Sequence, residues 1–313
     1  MAQMLNKINA LLLILAVILS TLLWWQPPTK SGASNEPLSA LSSEQIQTIT
    51  MQGLGNQPFE LTRRDKEWWL TEPQQLPADP LKVDALLAMI DTRVYERFAL
   101  PTGEAARQFF TEDNRHWVRF DDLLVWFGQA HPLGQRRYLS LNTDTSDGQP
   151  THVQTGSDIA LVDDFYYHHL LGSWVDWVNH QLLPPDTTLT GLALPALTLT
   201  LEQSDEQIEN QQMRWHSLPA AADINELHQL VNRWQTLQAT KVTALPENLD
   251  TSSLQHLLLE WQDAQGTSGT LSFYLQPLHS EAQLHHPAQR VTYHLNSATA
   301  NNLFKIKLNR ENP

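Results

Sequence analysis

Residues Trp68–Pro73, with the sequence WWLTEP, decide the fold, because a similar stretch follows roughly 145 residues later at Trp215–Pro219, WHSLP. Each stretch leads to an aspartate, Asp79 or Asp223, and then to an apolar ladder at helical spacing. The ladder residues are Val83, Leu86, Leu87 and Ile90 in the first unit and Leu227, Leu230, Val231 and Trp234 in the second. Each unit predicts a strand that ends at a proline, a short turn and an amphipathic helix.

The residues before each ladder predict where the helices begin. Asp79 can accept hydrogen bonds from the free N–H groups of a first turn, and Pro80 suits the first helical position. Asp223 has the same role in the second unit, and Glu226 three residues later completes a capping-box pattern. We therefore expect helices over residues 80–92 and 224–238.

The repeat predicts the organisation of the whole chain. We expect an α+β fold in which two similar lobes of antiparallel sheet with packed helices follow an N-terminal transmembrane helix. The predicted segments are an anchor over 1–28, a flexible tether over 29–43, a first lobe over 44–183 and a second lobe, a divergent repeat, over 184–313.

Composition excludes several functional classes. Lys and Arg number 20 against 34 Asp and Glu, and the resulting net charge of -14 opposes nucleic-acid phosphates and anionic lipid. We therefore predict no nucleic-acid partner. The chain has no cysteine, which excludes disulfides, thiolate metal sites, cysteine catalysis and a lipid-modified cysteine anchor.

The N-terminus predicts a membrane anchor. Residues Ile8–Trp25 are apolar, and no charged side chain lies between Lys7 and Lys30. A helix of this length spans about 27 Å, close to the roughly 30 Å hydrocarbon core, so residues 8–25 would contact the lipid bilayer. The charge of Lys7 predicts a single-pass inner-membrane protein with its N-terminus inside and its bulk in the periplasm. The alternative is a signal peptide cleaved after Ala33.

In these features the sequence resembles a bacterial family known as domain of unknown function 4340. The resemblance rests on Trp69, Leu70, Pro73, Ala78, Asp79, Val83, Leu86 and Leu87, followed by Leu124–Gly128 and Arg137–Leu139. It covers roughly residues 42–183, and the second lobe resembles a more divergent copy. The sequence departs from the family at Phe109–Asp113, which replaces the usual Gly-Leu-x-x-Pro step.

The resemblance implies a membrane-anchored extracytoplasmic α+β protein. Some members resemble partners of ABC-type export systems or of gliding machinery. The resemblance implies no catalytic residue, so no functional site is carried over to this chain.

Two sets of side chains suggest chemistry. The acid pairs Asp121-Asp122 and Asp163-Asp164 suggest the two carboxylates of a glycoside hydrolase, but a hairpin turn and a helix start also favour aspartate. His285 and His286 suggest a metal site in a loop, although the HExxH spacing of helical zinc sites is absent. We therefore predict no catalytic residue, no metal site and no cofactor.

Tryptophan is abundant, with 11 residues, and most of these rings are expected in the core. Trp68 and Trp69 are adjacent in a strand, so one of them must face outward. Trp174 and Trp177 lie beside apolar residues in the connector 172–186, and we predict that they contact the other lobe or a partner.

These observations together predict an accessory or scaffold protein of an envelope assembly, associated with an ABC-type transport system and without catalytic activity. The expected partner is an envelope protein, including components of a transporter. Two alternatives remain open at this point: a periplasmic glycan-binding module that uses exposed tryptophans, and an envelope hydrolase that uses the acid pairs or the histidines.

Overall fold

The computed structural model describes residues 36–52, 57–111, 116–143, 153, 157–203, 213–220, 223–278 and 281–303. Strands predominate in these ranges. They form two sheets, in which every paired neighbour is antiparallel. We refer to the first sheet with its helix as the first lobe and to the second sheet with its helices as the second lobe.

The first sheet is built around the WWLTEP stretch. Its strands in chain order are β1 (Thr48–Gln52), β2 (Phe59–Arg64), β3 (Glu67–Glu72), β4 (Leu76–Pro77), β5 (Glu96–Ala99), β6 (Trp117–Phe120), β7 (Leu123–Ala130), β8 (Arg136–Thr143) and β9 (Asp158–Asp163). Their spatial order is β4-β3-β2-β1-β6-β7-β8-β9-β5. The sequence predicts a hairpin of Phe59–Arg64 with Glu67–Thr71 around Asp65-Lys66. This hairpin is confirmed, and both turn residues have positive φ, as a tight two-residue hairpin turn requires.

The second sheet follows the same plan. Its strands are β10 (Thr187–Leu194), β11 (Leu197–Gln203), β12 (Met213–Leu218), β13 (Lys241–Ala244), β14 (Gln255–Asp263), β15 (Ser268–Pro277), β16 (Glu281–His286) and β17 (Val291–Asn296). Their spatial order is β12-β11-β10-β14-β15-β16-β17-β13, which repeats the first sheet without a counterpart of β4 among the described residues.

The equivalence of the two sheets extends to single hydrogen bonds. The N–H of Leu38 donates to the carbonyl of Thr92 at 3.0 Å, and the N–H of Leu182 donates to that of Leu237 at 3.2 Å. The two strands that carry the repeated tryptophans, β3 and β12, are each followed by a proline with a cis peptide bond. The chain therefore enters each sheet in the same way.

The helices are short and few in the described ranges. They are α1 (Pro80–Leu87), α2 (Ile224–Gln235) and α3 (Ser297–Leu303). The expected caps are confirmed, because Asp79 accepts from the N–H groups of Leu81 and Lys82, and Asp223 accepts from that of Asn225. The helix α1 ends five residues before the expected Thr92, because Ala88–Thr92 continues as turns.

The segment between the sheets is bonded to both lobes. The N–H of Asn179 donates to the carbonyl of Pro77 in the first lobe at 2.8 Å, and the N–H of Ala239 in the second lobe donates to the carbonyl of His180, also at 2.8 Å. Buried side chains of the two sheets belong to one continuous core. The connector is therefore part of the packed interior.

The predicted α+β class is wrong, because the described residues form a mostly β protein. Layers of packed helices are not formed, since α1 and α2 have 8 and 12 residues. Two strands were not predicted: the sequence indicated no strand over 187–194, after the connector 172–186, where β10 lies, and it indicated a loop at His285 and His286, where β16 lies. The alternation of apolar and polar residues is weak in both strands, because Gly191 interrupts β10 and His285-His286 ends β16.

The predicted membrane location is also corrected. Within the described ranges, no helix has the length and apolar character needed to cross a bilayer. The longest has 12 residues, against roughly 20 for a spanning helix. The single-pass inner-membrane location is therefore not supported, and the predicted anchor over 8–25 lies outside the described residues. Part of the predicted tether packs on the first lobe, where Leu38 is buried.

Candidate functional site

An open groove of about 930 Å³ lies between the two lobes, and we call it the inter-lobe groove. It is formed by the β2–β3 hairpin, by the end of the connector and by the β14–β15 hairpin. Its lining residues are Arg64, Asp65, Glu67, Trp69, Pro77, Pro184, Pro185, Asp186, Thr187, Trp261, Asp263, Gln265, Thr267, Gly269, Thr270, Leu271 and Gln289. Most of the groove surface is apolar, and polar groups are distributed along it.

The first lobe contributes the ring of Trp69. Strand alternation buries Trp68 at 6% exposure and leaves Trp69 half-buried on the opposite face, as the sequence predicted. Trp69 is the register partner of Pro77 on β4. The guanidinium carbon of Arg64 lies 5.8 Å from the centre of the Trp69 ring, in cation–π range. The half-buried Trp69 ring therefore lines the groove beside the guanidinium of Arg64.

The second lobe contributes the ring of Trp261. This residue pairs across the hairpin with Gly269, and its ring lies directly over that glycine. A Cβ atom on Gly269 would lie 2.4 Å from Cζ2 of Trp261, which is too close for any real contact. The missing side chain at position 269 therefore lets the Trp261 ring lie against the hairpin.

The groove has an excess of negative charge. Four carboxylates line it, from Asp65, Glu67, Asp186 and Asp263, against the single guanidinium of Arg64. Asp263 also organises its hairpin, since one oxygen accepts from the N–H groups of Gln265 at 2.9 Å and Thr267 at 2.7 Å. The carboxylates thus lie beside two indole rings on an open, mostly apolar surface.

The predicted contact residues Trp174 and Trp177 lie outside this groove. Trp177 is 1% exposed, and its ring centre lies 6.1 Å from that of Phe59 and 6.5 Å from that of His169. Trp174 is half-buried against the same core. The turn that contains both residues packs on β13 of the second lobe.

The acid pairs have structural partners. Asp121 accepts from the N–H of Thr48 at 2.8 Å and tethers the β6–β7 turn to β1. Asp164 forms a two-point ion pair with Arg137, with N–O distances of 2.7 and 2.9 Å. Asp163 accepts from the hydroxyl of Tyr95. These contacts give three of the four carboxylates a structural role that requires no substrate.

The histidines expected on a loop are buried in β16, so that expectation is wrong. His285 is held between Thr292 and Gln276 at 2.9 Å each. Burial lowers the pKa of His286 to about 4, and that of His285 is lowered by burial and by the nearby His294. In the described ranges, no group of three or more His, Cys, Asp or Glu residues has the geometry of a metal site.

Sequence reasoning missed most of the groove. Trp261 had no distinguishing signal, and Pro184-Pro185 indicated only a connector. The three segments that form the groove lie over 64–77, 184–187 and 261–271, far apart along the chain, and they meet only because the lobes pack together. The one available signal was the outward position of Trp69.

This arrangement is suited to binding, since it offers stacking surfaces, hydrogen-bonding side chains and charge along an open channel. A protein-family model described as a domain of unknown function, DUF4340, matches residues 68–265. The match extends past the expected range of 42–183 and includes both groove tryptophans. Comparison with curated proteins and with solved structures finds no match.

Proposed function

We propose that this chain, which belongs to the DUF4340 family, is a non-catalytic accessory or scaffold subunit that holds part of a partner protein in the inter-lobe groove. The observation that carries the proposal is the pair of half-buried indole rings, Trp69 and Trp261, one from each lobe, that line a mostly apolar groove of about 930 Å³. Accessible tryptophans on such surfaces are among the residues that contribute most to protein binding.

The shape of the groove supports a macromolecular ligand. It is lined by both lobes and by the end of the connector, so a segment of a partner protein lying in it would contact all three. Three of the four carboxylates of the acid pairs, those of Asp121, Asp163 and Asp164, are engaged elsewhere by Thr48, Tyr95 and Arg137. Association with a transport system, implied by the family resemblance, stays a prediction.

Glycan binding is the second candidate, and a specific observation favours it. Two indole rings with the amides of Gln265 and Gln289 and the hydroxyl of Thr270 nearby could stack on sugar rings and bond to sugar hydroxyls. Partner-protein binding is preferred because a neutral glycan, although its hydroxyls can donate to the four carboxylates, brings no charge to balance them.

Site-specific photocrosslinking in cells tests the proposal. A benzophenone amino acid at Gln265 or Gln289 places the reactive group in the groove, and one at the exposed Glu104 serves as the remote control. We expect both groove positions to crosslink the same protein, and Trp69→Ala to abolish this product. Absence of a product, or an equal product from position 104, would contradict the proposal.

A further inference from the structure

The chemistry of the groove specifies its ligand more closely than partner binding alone. Its rim carries Asp65 and Glu67 from the first lobe and Asp186 and Asp263 from the connector and the second lobe, so negative charge occurs on both sides. Arg64 is the only cation in the lining, and its guanidinium faces the Trp69 ring. Lys66 belongs to the same turn but does not line the groove. A ligand therefore meets an uncompensated negative potential.

The apolar part of the lining favours an extended chain. Pro77, Pro184 and Pro185 line the groove together with the two tryptophans, and Pro184 and Pro185 are half-buried. Aromatic grooves of this kind bind extended segments, including polyproline II, because such segments lose little conformational entropy on binding. Lys and Arg stems also pack on indole rings while their charged ends reach carboxylates.

The negative charge of the groove distinguishes between its possible ligands. A second copy of this chain, at a net charge of -14, would be repelled, as would nucleic acid and anionic lipid. The hydroxyls of a neutral glycan could donate to the carboxylates, but they would leave the negative charge unbalanced. A cationic segment of a different protein is complementary to both the charge and the rings.

Building on the proposed function, we propose that the inter-lobe groove binds an extended segment rich in Lys or Arg and proline from a partner protein. The Trp69 and Trp261 rings hold the proline rings and the alkyl stems. The carboxylates of Asp65, Glu67, Asp186 and Asp263 hold the cationic ends. The groove thus selects its ligand by charge and by extended backbone.

Calorimetric titration of the full chain with three synthetic probes tests this inference. The probes are a peptide of five Arg-Pro repeats, a matched peptide of five Gln-Pro repeats, and a neutral oligosaccharide of six glucose units. We expect the Arg-Pro peptide to bind at least tenfold more tightly than the Gln-Pro peptide, and its affinity to fall as NaCl rises from about 50 to about 500 mM. We expect no binding of the oligosaccharide.

Variants locate the binding to the groove. Asp65→Asn with Glu67→Gln is expected to weaken Arg-Pro binding about threefold to tenfold and to reduce its salt dependence. The matched control, Glu104→Gln with Asp122→Asn, removes two exposed acids outside the groove and should leave binding unchanged.

Trp69→Ala should weaken binding about thirtyfold, and Trp215→Ala, its counterpart on β12, should not. Thermal melting shows whether each variant is folded. Trp69→Phe, which keeps an aromatic ring, is a milder second variant at the same position.

The outcomes separate this inference from the proposed function. Equal binding of the Arg-Pro and Gln-Pro peptides, or equal losses in the two acid variants, would overturn the cationic ligand. Binding of the oligosaccharide in place of the peptides, lost in Trp69→Ala, would assign the groove to glycans. If no probe binds while the groove still crosslinks one protein in cells, the inference fails and the proposed function stands; if the crosslink is also absent, both fail.

Discussion

The N–H of Asp79 donates to the carbonyl oxygen of Trp177 at 2.7 Å, so the residue that caps helix α1 is fixed by the connector. The Asp79 carboxylate accepts from the N–H groups of Leu81 at 3.0 Å and Lys82 at 3.5 Å. One residue thus joins the start of the helix to the segment that leads to the second lobe. The two contacts use different groups of Asp79 and can be separated by mutation.

Asp79→Ala removes the cap and keeps the backbone bond to Trp177. We expect the free energy of unfolding to fall by about 1 kcal/mol, because two N–H groups of the first turn lose their acceptor. Urea denaturation measures the change. Asp223→Ala, which removes the equivalent cap of α2, should have a similar effect, whereas a loss above about 3 kcal/mol at position 79 alone would indicate a role beyond capping.

Trp177→Ala is expected to reduce the free energy of unfolding by about 3–5 kcal/mol, because it leaves a cavity beside Phe59 where the ring is now 1% exposed. The half-buried neighbour provides the control, since Trp174→Ala should cost clearly less. Chemical denaturation of both variants measures the difference. Equal effects would mean that the connector does not depend on the buried ring.

Gly269→Ala places a methyl group where the Trp261 ring lies. We expect the ring to move away from the hairpin, with a loss of about 1–3 kcal/mol in unfolding free energy and a weaker groove crosslink. Near-ultraviolet circular dichroism reports the change in the indole environment. Gly266→Ala is the comparison: its φ of +88° makes the substitution strained, but no atom lies near its Cβ, so Trp261 should stay in place.

Acid should destabilise the protein through His286. Burial lowers its pKa from 6.5 to about 4 in the folded state, so the unfolded chain binds a proton that the folded chain excludes. Stability is therefore full above pH 6.5 and falls between pH 6.5 and pH 4, by about 2–3 kcal/mol for this residue. Urea denaturation at several pH values measures the slope.

The matched variant for that experiment is His286→Phe, which keeps an aromatic ring against Phe273. We expect it to lose less stability than the natural chain between pH 7 and pH 4. An identical slope in the His286→Phe variant would assign the acid sensitivity to other groups, such as the buried His285.

Local signals in the sequence predicted the local structure well. The turn at Asp65-Lys66 and the capping aspartates depend on neighbouring residues only, and each appears where expected. The end of α1 depends on how Met89 and Ile90 pack in the core, which the apolar ladder does not reveal. Strand β16 was missed because two adjacent histidines suggested a surface loop, whereas packing on both sides buries them.

The groove was beyond prediction for a different reason. The sequence shows that either Trp68 or Trp69 must face outward. The second tryptophan of the groove, Trp261, is brought near Trp69 only by packing of the two lobes. Its position also depends on Gly269, which belongs to the run Gly266-Thr267-Ser268-Gly269 that in the sequence indicates only a hairpin turn. No periodic pattern relates residues so distant along the chain.

The hydrogen bonds of the connector have a consequence for how the protein unfolds. Leu182 and His180 complete the backbone pairing of Leu237 and Ala239, although all of residues 180–183 precede the second sheet in sequence. A cut at position 183 would take from the C-terminal fragment the backbone partners of Leu237 and Ala239. It would also expose core residues of the N-terminal fragment to water. We therefore expect one cooperative melting transition for the intact chain, and neither fragment to reach a native state when synthesised alone.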